Sequence, residues 1–173
     1  PKVNVRTTKT VRTIGREMDY PITSAVRFLR EKKIAFTPYL YNYAEHGGTR
    51  ESAKQLGVDE HAVIKTLVFE TNEKKPLIVL MHGDREVSTK NLARYIGVKT
   101  VEPAAAERAA KWTGYMFGGT SPFGTRTQMP VYVERTIFDL DKIYINGGKR
   151  GFLVEIDPSG LRTLNITEVE VAI

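Results

Sequence analysis

The chain contains no cysteine. That excludes disulfides, zinc–thiolate sites and a protein-borne thiol nucleophile, and it gives no sign of an oxidising compartment. No apolar run reaches the roughly 18 residues a transmembrane helix needs, and no apolar signal-peptide core follows the N-terminus. A cytoplasmic location is the expectation, with no membrane partner. Only three histidines occur, His46, His61 and His82, and none stands in a metal-type spacing such as two histidines four apart. All three read as non-ligands, so neither a metal nor another cofactor is expected. No Gly-x-Ser-x-Gly elbow marks a hydrolase serine.

Acidic residues are missing from one stretch. Residues 1–16 hold Lys2, Arg6, Lys9, Arg12 and Arg16 and no acid, whereas the rest of the chain sets 21 basic against 20 acidic residues. The formal charge of +6 is therefore mostly that of an N-terminal arm. The division expected is a basic arm over 1–18 and one domain over 19–173. A nearly neutral body argues against a broad duplex-binding face, and a short basic arm adds phosphate contacts to a site defined elsewhere. Val3 and Val5 alternate with polar residues, which suits a short edge strand. With 173 residues and 41% apolar content, the chain supports one domain with a true core.

The stretch that stands out is Val63-Ile64-Lys65-Thr66-Leu67-Val68-Phe69. It reads as a β-strand on which Lys65 shares a face with Leu67 and Phe69, while Ile64, Thr66 and Val68 share the other. A lysine on an apolar face is either a strand-end residue leaning into solvent or a functional group.

Around it, Pro21–Ile34 reads as a helix capped by Thr23 or Ser24, and 36–41 as a strand whose Pro38 puts it at an edge. Tyr39, Tyr41 and Tyr43 alternate, as a packed aromatic row would. Thr49 starts a helix that Gly57 ends, and Asp59–Val63 is a helical turn. Leu77–Met81 pairs back as a hairpin across polar 71–76. Ser88 or Thr89 caps a helix ending at Gly97. Val98–Val101 reads as a short strand, and Pro103 opens an alanine-rich helix to about Lys111. Strands follow at Gly114–Phe117, Val131–Glu134, Lys142–Ile145 and Phe152–Ile156, the last two joined by a turn over Asn146–Gly151. A short helix at Ser159–Leu164 and a strand at Val169–Ile173 close the chain. Six or more strands interleaved with helices, several joined by hairpins, imply a mixed sheet.

Gly118-Gly119-Thr120-Ser121-Pro122-Phe123-Gly124 is the second notable feature. It is not a P-loop, because no Gly-Lys-Ser/Thr closes it. It offers bare backbone N–H groups in a glycine-permitted bend, suited to an oxyanion or phosphate, or else it is a plain connection rich in turn residues. Lys149 and Arg150 stand at a hairpin tip, either as candidate RNA-phosphate contacts or as solvated charges.

Lys65-Thr66-Leu67, then Gly118–Gly124, then Gly147-Gly148-Lys149-Arg150-Gly151, in that order and spacing, resemble the YbaK/EbsC family. These are trans-editing deacylases related to the insertion domain of bacterial prolyl-tRNA synthetase. The resemblance spans roughly Thr23–Leu164. It implies an α+β (mixed α/β) single domain, with a curved, mixed, mostly antiparallel sheet flanked by helices. It implies hydrolysis of the ester between a wrong amino acid and tRNA(Pro), most of all Cys-tRNA(Pro). On this likeness Lys65 is the catalytic lysine that holds or polarises the ester. Tyr41, Gly118, Gly119, Ser121 and Asn146 are substrate-binding, and the substrate's own thiol acts as nucleophile. The implied partners are misacylated tRNA and prolyl-tRNA synthetase. Asn146 stands where the cysteine-specific branch often has serine, which keeps Ala-tRNA(Pro) open as a substrate. The basic arm keeps open a non-catalytic module that binds tRNA or a synthetase.

Overall fold

The structure, a computed structural model, describes residues 20–173; the basic arm and its suggested edge strand lie outside the described residues. Among the described residues, eight strands form one mixed sheet in the order β1-β7-β6-β2-β3-β5-β8, with β4 pairing separately with β2. The strands are β1 (Thr37–Leu40), β2 (Val63–Thr71), β3 (Pro76–His82), β4 (Val101–Pro103), β5 (Val131–Glu134), β6 (Ile143–Lys149), β7 (Phe152–Ile156) and β8 (Ile166–Val169). Four pairings are antiparallel: β1 with β7, β2 with β3, β2 with β4 and β6 with β7. Three are parallel: β2 with β6, β3 with β5 and β5 with β8. The mixed α/β class read from the sequence holds.

The sheet is covered on both faces. β3 shows why its sequence is a continuous apolar run rather than an alternating one. Ile78 and Leu80 join one core, with Ala25, Val26 and Leu29 of α1 (Ser24–Glu31). Leu77, Val79 and Met81 join another, with Leu92 and Ala93 of α3 (Thr89–Ile96). α2 (Gly48–Leu56) sets Ala53 against Val63 and Leu153 in a third, smaller cluster. Each of these helices has eight or nine residues. That is too short to hold in water, so packing and caps sustain them. Thr23 accepts from the Val26 N–H, Ser88 accepts from the Asn91 N–H, and Gly57 and Gly97 end α2 and α3 in the left-handed region.

The edge placement of Pro38 holds, since β1 is the terminal strand. Other elements differ from expectation. Pro103 ends strand β4 opposite Phe69 instead of opening a helix, and α4 begins later, at Ala106–Thr113. Proline is tolerated there because β4 is a short flanking strand. Residues 114–117 form no strand: Gly114, at φ 79°, caps α4, and the Tyr115 hydroxyl donates to the Phe123 carbonyl. The last strand is β8 at Ile166–Val169, after which Ala172 bridges to Val87.

The β6–β7 turn is also displaced. Asn146, Gly147 and Gly148 remain in β6, and the chain reverses at Arg150–Gly151. The Asn146 carbonyl oxygen Oδ1 accepts from the Gly148 N–H at 2.7 Å and the Lys149 N–H at 3.1 Å. That shifts the register between Asn146 and Lys149. A Cβ on Gly147 would lie 2.4 Å from the Phe152 ring, so glycine there serves packing and not the turn.

Candidate active site

β2 carries Lys65 into the middle of the sheet. It runs parallel to β6, with Val63 opposite Tyr144 and Ile64 opposite Ile145. One step further along the two strands stand Lys65 and Asn146. The Asn146 amide Nδ2 donates to the Gly118 carbonyl at 3.1 Å. Lys65, Asn146 and Gly118, far apart in sequence, thus line one cleft of about 310 Å³, together with Tyr41, Tyr43, Phe117 and Thr120. The two sequence features singled out first converge there.

The Lys65 side chain is only 18% exposed. Its ammonium donates to the Arg85 carbonyl and to Glu86 Oε1 at 3.3 Å, both in the loop after β3. An ammonium has three donors, so this tether leaves one for a substrate oxygen. Glu86 itself is 79% exposed, so the ion pair is solvent-screened and works as a guide more than a lock.

The glycine loop is held from two sides. Arg150 Nε donates to the Phe117 carbonyl at 2.7 Å, next to the Asn146 bond to Gly118. Gly118 sits at φ 84°, and a Cβ there would lie 2.6 Å from the Tyr43 hydroxyl. Both facts require glycine. The Gly118 N–H makes no hydrogen bond among the described residues, whereas the Gly119 N–H closes a turn onto the Met116 carbonyl at 2.8 Å. Only the first of the two glycines therefore offers a free donor, and Gly119 packs behind the loop against Lys149 and Arg150.

Of the other expected site residues, Tyr41 lines the cleft, and burial pushes its phenol above the usual range. Asn146 lines it too, but its amide is spent on the loop and the bulge. Ser121 does not line it: the residue is fully buried, and its Oγ accepts from the Phe123 N–H at 3.1 Å. Thr120 takes its place on the wall. Lys149 and Arg150 are exposed at the hairpin tip, with the Arg150 guanidinium 5.0 Å from the Tyr43 ring centroid. Sequence reasoning missed Phe117 and the Arg85–Glu86 tether. The first was hidden in an expected strand, and the second depends on a loop contact twenty residues from Lys65. The tyrosine row splits: Tyr39 packs edge-on against Tyr144, while Tyr41 and Tyr43 face the cleft.

Behind the tether, the rings of His61 and His82 stack at 3.7 Å. His82 Nδ1 lies 2.7 Å from the His61 carbonyl, which can only accept, so that nitrogen carries the proton. Nε2 is left as acceptor for the Thr136 hydroxyl at 2.7 Å. Burial holds the His82 pKa below its ordinary value, which fits a neutral ring. Asp84 accepts from His61 at 2.8 Å; despite an opposing desolvation cost, that bond keeps its carboxyl below the usual range. Among the described residues, no group of three or more His, Asp or Glu side chains is arranged to hold a metal ion.

The pocket thus carries on its wall one cation, Lys65, and one backbone amide, that of Gly118, with no hydrogen-bond partner among the described residues. Residues 46–164 match the aminoacyl-tRNA editing domain family, and the chain belongs to that family. Its class is that of a deacylase acting on mischarged tRNA. The chain is 32% identical over 143 residues to a protein of Enterococcus faecalis (strain ATCC 700802 / V583) named "Putative Cys-tRNA(Pro)/Cys-tRNA(Cys) deacylase EbsC", covering 82% of this chain and 87% of that one. It is 31% identical over 104 residues to the proline–tRNA ligase of Streptococcus pyogenes serotype M5 (strain Manfredo), covering 60% of this chain but only 17% of the ligase. Its fold matches a crystal structure described as "a putative trans-editing enzyme for prolyl tRNA synthetase", with TM-score 0.78 and 20% identity over 89% of this chain and 99% of that one. Among the described residues no helix is long and apolar enough to cross a membrane.

Proposed function

We propose that the protein acts in trans on misacylated tRNA(Pro), with Cys-tRNA(Pro) as its principal substrate, in the cytoplasm and alongside prolyl-tRNA synthetase. The observation that carries this reading is the convergence of Lys65 and the Gly118 amide on one cleft wall through the β2–β6 register and Asn146. The E. faecalis relative's name supports cysteine as the acyl group.

An aminoacyl ester is already activated, so positioning it and stabilising its oxyanion suffice for catalysis. In this reading the free Gly118 N–H and the third Lys65 donor meet the carbonyl oxygen. The cysteine thiol then forms the S–C bond to its own carbonyl carbon. The C–O bond to the ribose breaks, and the thiol proton ends on the ribose oxygen. Water opens the resulting cyclic thioester. Tyr41 and Tyr43 enclose the side chain and keep bulk water from the cleft.

Ala-tRNA(Pro) is the competing substrate, favoured by the commitment of the Asn146 amide to the loop, which leaves it no free group directed at sulfur. The deciding experiment is a deacylation panel over Cys-tRNA(Pro), Ala-tRNA(Pro) and Pro-tRNA(Pro). Fastest turnover of the cysteine ester supports the proposal, and fastest turnover of the alanine ester replaces it. Binding of uncharged tRNA that weakens steeply with salt, with no turnover of any ester, would establish the non-catalytic module instead.

A further inference from the structure

Phe117 is 71% exposed, although it lines the cleft that holds Lys65. Its ring is not on a floppy tip. The turn is closed by the Gly119-to-Met116 hydrogen bond, its own carbonyl is held by Arg150, and the next carbonyl is held by Asn146. A large apolar ring exposed on an anchored stretch of backbone beside the candidate cleft is an unfilled contact, because water gains nothing by facing it.

Phe117 also stands where two cavities meet. A second cleft of about 400 Å³, bounded by Leu67, Phe69, Val87, Ala106 and Ala109, shares Thr66, Leu67, Phe117 and Thr120 with the first. Its walls are mostly apolar. Exposed Arg150, bonded to the Phe117 carbonyl, and its neighbour Lys149 supply positive charge nearby.

We propose that Phe117 is a stacking platform for the 3′-terminal adenine of the tRNA, with the base seated over the second cleft while its ribose ester lies in the first. This rests on the reading of the first cleft as an aminoacyl-tRNA esterase site. The geometry follows from the substrate's own chemistry. The scissile ester and the base hang from the same ribose, so a base leaving the Lys65 cleft crosses the shared wall, on which Phe117 is the one exposed aromatic residue. The preceding phosphate then falls toward Arg150 and Lys149. An aromatic face under an unstacked base is the usual way a single-stranded RNA end is gripped, and it needs no hydrogen-bond readout.

The test uses the full chain, Phe117→Ala and Phe117→Tyr against two uncharged acceptor-stem RNA hairpins. One ends in 3′-CCA, and the other lacks only the terminal base. Phe117→Ala should weaken binding of the CCA hairpin about tenfold, and Phe117→Tyr should keep it within about twofold. Removing the base should cost the wild type about tenfold and Phe117→Ala almost nothing. With misacylated tRNA(Pro), Phe117→Ala should raise KM and leave kcat, since the stack is made equally before and during reaction. Equal affinity of wild type and Phe117→Ala for the CCA hairpin, or an equal loss on both hairpins, overturns the stack. A wild type that deacylates no charged tRNA overturns the esterase reading and the stack with it. A wild type that deacylates normally but ignores both the ring and the base overturns the stack alone.

Discussion

Asn146 and Gly118 are joined by a 3.1 Å hydrogen bond from the side-chain amide of one to the backbone carbonyl of the other. The bond fixes the loop that carries the free Gly118 N–H at the strand position beside Lys65. Asn146→Asp keeps the Oδ1 acceptor for Gly148 and Lys149 but loses the donor to Gly118. Deacylation by this variant is expected to fall about tenfold to a hundredfold, with KM little changed and the thermal midpoint close to wild type. Steady-state kinetics beside a melting curve check this.

Gly118 is required twice, by its φ of 84° and by the Tyr43 hydroxyl 2.6 Å from where a Cβ would lie. Gly118→Ala should lose about a hundredfold in rate, since small displacements of a positioning loop have that effect. Adding Tyr43→Phe removes the hydroxyl clash but leaves two ring carbons 3.0 Å from the Cβ position and the left-handed strain of about 1–2 kcal/mol, so it should recover activity only in part. The rates of the single and double variants measure the split.

Thr23 ties the start of α1 to the β6–β7 hairpin: its hydroxyl donates to the Gly147 carbonyl and accepts from the Val26 N–H. Thr23→Ala should destabilise the protein by about 1–2 kcal/mol, and Thr23→Ser by much less. Urea unfolding at unchanged m-value tests the pair.

The His61–His82 stack predicts a pH effect on stability. Burial lowers the His82 pKa, so the unfolded chain takes up that proton first as pH falls. The contribution of the neutral ring is present above the ordinary histidine value near 6.5, and it is lost as pH falls below that value through the lowered folded-state pKa. The carboxyls of Glu70 and Asp84, held low by Arg108 and by His61 against opposing desolvation, lose their contribution only in more acid solution, below about 4.5. His82→Gln should flatten the upper window and leave the lower one. Unfolding free energies at half-unit pH steps show whether it does.

Much of this was legible in the chain itself. The β2–β3 hairpin was visible because a polar 71–76 separates two apolar runs, and α2 and α3 because Gly57 and Gly97 stop them. Lys65 was visible as a cation on an apolar face, and Gly118 as a bare donor in a bend. What was not legible depends on contacts distant in sequence. Asn146-Gly147 looks like a hairpin turn, but the Asn146 side chain captures two following N–H groups and the Phe152 ring presses on Gly147, which moves the reversal to Arg150–Gly151. Pro103 looks like a helix start, but a strand partner in β2 claims it. Ser121 looks like a site hydroxyl, but it is turned into the core to cap its own turn.

The central claim is that the Lys65 ammonium acts on the ester. Its most direct test is single-turnover hydrolysis of Cys-tRNA(Pro) by wild type and by Lys65→Ala, with folding verified by the melting curve. The account predicts a loss of about a hundredfold to a thousandfold in the variant with its fold intact, the scale of losing one oxyanion donor. Equal rates for the two proteins would contradict it.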